Sequence, residues 1–293
     1  LTLPSTRMKI WVGLTLPFCL MLLTIVIVLT KHRVGSKFLN ENVDNDEFGW
    51  TLARTSVELC GYAYCDISVE NPEYLFTDTC RGFEFIGLIK PMGGFVGYMA
   101  KQNAIYVVYK GTSSQSDRAI DADILLTPYA KCKDCEVHQG FYAASQLGIW
   151  SVVYFIEKIK LLHPFAKVVV TGHSMGGAVA LLAALELLDY GVLHMNLINF
   201  GSPRVGNHAF ASYASHRLRN AADSHYRVTH GKDCVPNMPS IHAGYLHIDG
   251  EWYEEPTLVL NKCTGYEDKR CAAQWEDMPA TINLPIGARK GFH

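Results

Sequence analysis

The segment Gly172-His173-Ser174-Met175-Gly176 constrains this chain more than any other. Before it stands the apolar run Val168-Val169-Val170-Thr171, and after it residues 177–188 are small and apolar throughout except for Glu186. A chain that leaves a buried strand and enters a helix this abruptly must reverse sharply, which only small neighbours permit. The serine then stands at the tip of the bend, its Oγ lifted from the sheet, with the N–H groups of the helix start beside it. A bare Gly-x-Ser-x-Gly is common in loops. The strand before it and the helix after it turn the motif into a site, and Ser174 is the expected nucleophile.

The rest of the chain repeats this strand-to-helix rhythm. Helical spacing of apolar residues from Phe48 to about Ala63 predicts an amphipathic helix. Residues 94–100 and 104–109 read as a hairpin turned at Lys101-Gln102-Asn103, and the second strand is apolar on both faces and therefore central. Residues 141–162 are expected to be helical, Leu197–Phe200 a buried strand, 208–219 a helix and Tyr226–His230 a short strand. Strands alternating with helices predict an α/β fold on a mainly parallel sheet. Ligand sites in such sheets lie at the carboxyl ends of strands. Thr112, Ser174, Gly201 and Asp233 all follow predicted strands, so one sheet edge is expected to collect them.

A serine hydroxyl needs a base, an acid to orient that base, and donors for the developing oxyanion. Asp233 is the expected acid, since it follows a strand and precedes a Pro-containing turn in the chain order Ser…Asp…His. The bland alternative is an Asx-turn carboxylate. His225, His230, His242 and His247 match no standard metal-ligand spacing, so no metal and no other cofactor is expected.

Composition narrows the class and the compartment. A net charge of −2 from 26 basic and 28 acidic residues gives no electrostatic footprint for nucleic acid. From Ile10 to Thr30 the chain carries no charge, and as a helix at ~1.5 Å per residue it reaches roughly 30 Å, the thickness of a bilayer core. A signal anchor over residues 1–30 is the expectation, with a cleaved signal peptide as the alternative. A polar, acidic linker over 31–47 follows, then one large domain over 48–293. Cys19 lies in the apolar segment, and the eight remaining cysteines form an even set, which favours disulfides and an oxidising compartment. Spacing suggests local bridges Cys132–Cys135 and Cys263–Cys271, leaving Cys60, Cys65, Cys80 and Cys234 three ways to pair. The expected location is the secretory pathway, membrane-anchored with the domain extracytoplasmic, or secreted.

Tyr109-Lys110-Gly111-Thr112, Val137–Phe141, the 172–177 bend, Gly201-Ser202-Pro203-Arg204-Val205-Gly206-Asn207, Arg227–His230 with Asp233–Pro236, and Gly244–His247 occur here in one order. In these segments the chain resembles the class 3, fungal-type lipase family, over roughly residues 48–271. The resemblance implies an α/β-hydrolase fold, Ser174 as nucleophile, Asp233 as triad acid, and an oxyanion hole from Thr112 and the backbone N–H of Met175. It implies a carboxylic ester substrate, acylglycerols above all. It also places a lid at 113–126, where Ser113–Ile124 is mostly polar, which argues against strong interfacial activation. The family's Asp-His-x-x-Tyr-Phe setting for the base has no counterpart here. Three readings stand: the family's base lies beyond residue 293, which is the favoured expectation; His293 is the base; or the chain is a lipase-like binding or scaffold protein without a competent histidine.

Overall fold

A computed structural model describes residues 49–65, 80–111 and 124–276. The apolar segment 10–30, the linker, Thr112, most of the lid segment and His293 lie outside these described residues. Among the described residues no helix is long and apolar enough to cross a membrane.

Eight strands make the main sheet: β1 (Phe83–Leu88), β2 (Gly94–Met99), β3 (Ala104–Tyr109), β6 (Lys167–His173), β7 (Met195–Phe200), β9 (Ser224–His230), β11 (Glu251–Glu254) and β12 (Leu260–Lys262). They lie side by side in that order. The four central pairings, from β3 through β6, β7 and β9 to β11, are parallel, and the flanking ones are antiparallel. The expected mainly parallel centre is present, with antiparallel edges. A smaller sheet joins β4 (Leu126–Pro128), β5 (Glu136–His138), β8 (Gly206–Asn207) and β10 (Tyr245–Leu246).

The central strands are apolar on both faces because both faces are covered. On β3, Ile105, Val107 and Tyr109 join one core with α2 (Gln139–Gln146), α3 (Ile149–Leu162), α4 (Met175–Asp189) and α5 (His208–Ala221). The alternate residues Tyr106 and Val108 join a second core beneath α1 (Trp50–Tyr62). Helix α4 is buried from Met175 to Leu188, so it is apolar nearly all round. Its two acids, Glu186 and the last residue Asp189, both meet Lys131 Nζ at 2.6 Å.

The single helix expected over 141–162 is two. Gly148 stands at φ 79 between them, and a Cβ there would come within 2.9 Å of Ile89 Cγ2. A side chain at 148 would meet both the left-handed backbone and the neighbouring loop. The two local disulfides, Cys132–Cys135 and Cys263–Cys271, form as expected. The expectation of disulfides at Cys60, Cys80 and Cys234 is corrected. Cys60 is a buried thiol 3.4 Å from Thr171 Oγ1, with its pKa pushed up to about 12 by burial. Cys80 is buried against the Thr55 carbonyl, and Cys234 has an exposed thiol.

Candidate active site

Strand β6 ends at His173, and α4 begins at Met175, leaving Ser174 alone between them. Ser174 has φ 58 and ψ −133, a conformation that a side chain rarely adopts. Its neighbours explain why the strain persists. A Cβ on Gly172 would stand 2.1 Å from the Gly176 carbonyl oxygen, and one on Gly176 would stand 2.4 Å from that of Tyr109. Ser174 N donates to Phe200 O at 2.9 Å, and Gly177 N donates to Ser174 O at 2.9 Å. The bend is thus tied to the end of β7 and to its own helix. Met175 is the first residue of α4, where a helix N–H has no acceptor within the helix.

Asp233 lies just past β9, with its N–H on the His230 carbonyl at 3.0 Å. Strand β7 pairs with both β6 and β9, so Ser174 and Asp233 follow strands separated by only one neighbour, at the same edge. Both are 8% exposed. Asp233 Oδ1 accepts from Val235 N at 3.0 Å, so the Asx-turn reading describes one oxygen. The other, Oδ2, lies 3.1 Å from where a Cβ on Gly201 would sit, and His173 Nε2 lies 3.6 Å from that same point. Gly201, at φ 52, therefore keeps open the ground between the bend and the acid.

Among the described residues, His173, His230 and His247 approach this edge, and each is engaged by another group. His173 Nδ1 stands 2.9 Å from the Tyr64 hydroxyl, which also reaches the His173 carbonyl at 3.4 Å. His230 Nδ1 meets Glu254 at 3.1 Å, and that hydrogen bond outweighs burial to raise its pKa. His247 is buried, and its Nε2 donates to Pro236 O at 2.6 Å. Burial, with Arg227 and Arg204 nearby, holds His247 well below the usual imidazole range, a neutral structural prop for the turn after Asp233. His138 likewise caps α2, its Nδ1 accepting from Phe141 N at 3.2 Å.

Two site-shaping residues escaped the sequence reading. Tyr64 packs where a Cβ on Gly111 would fall, 1.9 Å from its hydroxyl, so it joins the loop after β3 to the bend. Arg204 has a side chain 0% exposed. Its Nη1 donates to the carbonyls of Asn237 (2.7 Å) and Pro239 (2.8 Å), in the chain that follows Asp233. Its other nitrogens bind Glu267 (2.8 and 3.0 Å) and Glu276 (2.6 Å). The sequence showed Arg204 only as part of the Gly201–Asn207 segment; its role was signalled by an arginine between an apolar strand and a glycine turn, too hydrophilic for that place unless partnered.

The family model described as Lipase (class 3) matches residues 106–243. A lipase of Rhizopus niveus is 32% identical over 194 residues, covering 64% of this chain and 48% of that protein. A secreted mono- and diacylglycerol lipase A of Penicillium camembertii is 30% identical over 183 residues, covering 62% and 58%. The chain thus spans about half the length of these curated relatives. The solved structure of Rhizomucor miehei triacylglyceride lipase superposes with a TM-score of 0.69 at 25% identity, covering 81% of this chain and 92% of that one.

Proposed function

Because the chain belongs to the class 3, fungal-type lipase family, we propose that it is a serine hydrolase of carboxylic esters, with acylglycerols as substrates. The observation that carries this reading is the strained Ser174 at the sheet edge that also presents Asp233. Ser174 Oγ attacks the ester carbonyl as a histidine takes its proton. That histidine returns the proton to the departing alcohol, and water then releases the acid from the acyl-serine. Asp233 orients the imidazole. The N–H of Met175 and Thr112 hold the oxyanion, each such donor being worth about 2.7–4 kcal/mol in the transition state. His293 is our candidate for the base. The catalytic unit is 48–293, following the apolar segment 1–30 and the linker 31–47.

Mono- and diacylglycerols fit the polar segment 113–124, and the Penicillium relative carries that substrate class in its name. That name includes secretion, and two disulfides suit an oxidising compartment, so we place the domain on the secretory route.

A fluorophosphonate probe tests the reading. It should label the wild type and fail to label Ser174→Ala or Asp233→Asn at a comparable rate. A folded wild type that resists the probe would instead point to a silent lipase-like binding protein.

A further inference from the structure

One level of the main sheet, just beneath the bend at Ser174, is polar. The register pairs Tyr109 of β3 with Gly172 of β6, Gly172 with Asn199 of β7, Asn199 with Arg227 of β9, and Arg227 with Glu251 of β11. Residues paired in this way point to the same face of a sheet. Tyr109 and Leu197 belong to the core under α4, and Val108 and Ile198 to the opposite one, so the face is the one that α4 covers. Two side chains at this level hold buried atoms that the protein leaves unsatisfied. Asn199 Oδ1 and Arg227 Nη1 have no hydrogen-bond partner among the described residues. Asn199 is 1% exposed and Arg227 3%, so bulk solvent does not serve them. An unpaired buried acceptor is costly, and an unpaired donor on a charged group is more so.

Arg227 commits Nε to the carbonyl of Ile248, just before β11, at 3.0 Å, and Nη2 to Glu251, on β11, at 3.3 Å. The guanidinium is a rigid planar fork, so Nη1 sits at its other edge, away from β11. Strand β7 lies on that side of β9 and presents Asn199. The Tyr109 hydroxyl is also buried without a partner. The backbone of α4 over Gly172 separates it from Asn199, since a Cβ at 172 would stand 2.1 Å from the Gly176 oxygen.

We infer that Asn199 and Arg227 form a buried binding site for one water molecule beneath the bend. The chemistry selects the ligand, which must accept a hydrogen bond from Nη1 and donate one to Oδ1. A halide cannot donate and a metal ion cannot accept, whereas water does both and is held by as few as two polar partners. Charge agrees, because Glu251 already meets the guanidinium inside this layer. The water ties β7 to β9 one residue before the strand end where Phe200 O accepts from Ser174 N and Gly201 N donates to Val228 O, each at 2.9 Å. It thereby braces the strands that separate Ser174 from Asp233. The site rests on the sheet alone and stands apart from the ester-hydrolase reading.

A crystal structure of the wild-type chain, at a resolution that orders solvent, should place one water about 2.7–3.2 Å from both atoms. Asn199→Leu gives the solution test, because leucine nearly keeps the shape and removes the amide. Were the two atoms simply unpaired, leucine would relieve a buried acceptor and leave Tm unchanged or raised. With water bound, leucine expels it and strands Nη1, so Tm should fall by about 2–12 °C. Crystals of Asn199→Leu should lack the water. A direct Asn199–Arg227 hydrogen bond in the wild-type crystal, no ordered density within reach of both atoms, or an anomalous peak there after bromide exchange overturns the site. So does a leucine variant that melts at or above the wild type. None of these readouts depends on ester turnover, so a chain that hydrolyses nothing leaves the site intact.

Discussion

Replacing Arg204 with methionine isolates the electrostatic part of the site's scaffold, because methionine nearly preserves the side-chain volume and leaves little cavity. The guanidinium makes three contacts with the carboxylates of Glu267 and Glu276 and two with backbone carbonyls, all with its side chain fully buried. Glu276 is the costly partner, since its side chain is only 3% exposed and would be left as a buried carboxylate. Breaking one side of such a buried pair costs about 3–5 kcal/mol. For a domain of this size each kcal/mol lowers Tm by about 2–4 °C, so R204M should melt about 6–20 °C lower near neutral pH.

The pH dependence separates charge from packing. Burial would raise the Glu276 pKa, but Arg204, the Ser240 hydroxyl and the Ile241 N–H together hold it below the usual carboxylate range. A depressed folded pKa contributes stability above the unfolded value, and that stability is lost as pH falls through the folded value. R204M has no such contribution to lose, so the gap between wild type and R204M should narrow as the solution is acidified below the ordinary glutamate range. Adding E276Q to R204M should recover part of the loss at neutral pH. Urea titrations over a pH series provide the measurement. A neutral-pH difference under about 1 kcal/mol, or a gap that widens in acid, would falsify the assignment of Arg204 as the charged tie behind the Asp233 turn.

Three further outcomes are expected. Gly176→Ala pushes a methyl group toward the Tyr109 carbonyl, 2.4 Å away, so it should destabilise by about 1–3 kcal/mol and displace the bend. Ester turnover should fall about 100-fold or more, the scale of an ångström misplacement, and a near-normal kcat would count against the close packing. Tyr64→Phe removes the hydroxyl that joins the turn after α1 to His173 and should cost about 0.5–1.5 kcal/mol in denaturant unfolding, with kcat reduced more than KM is raised. His230→Gln should flatten the alkaline side of the stability profile. Glu254 raises the His230 pKa, so its contribution is fully present below the unfolded histidine value and lost as pH rises through the folded one. A wild type and H230Q with parallel profiles across that window would contradict it.

What could be read from the chain and what could not divides along sequence distance. The strand–bend–helix at 167–189 was legible because its causes are local: a β-branched run, three small residues around Ser174, then an apolar helix. The hairpin of β2 and β3 and the two short-range disulfides were legible for the same reason. The break at Gly148 was missed because apolar periodicity continues through it, and only the packing against Ile89 demands the left-handed turn. The pairing of Cys60, Cys80 and Cys234 was misread because parity counts thiols and does not say where each packs: Cys60, on the inner face of α1, and Cys80 are buried thiols of one core, and Cys234 is exposed.

By itself the sequence determined the bend at Ser174 and its sheet, since steric permission to turn is a property of adjacent residues. Tertiary structure alone decided how the turn after Asp233 is held. Arg204 meets Glu267 and Glu276 across 63 and 72 residues, and Tyr64 meets His173 across 109. A buried charge or hydroxyl is stable only beside its partner, and which distant residue becomes that partner is settled when the layers pack.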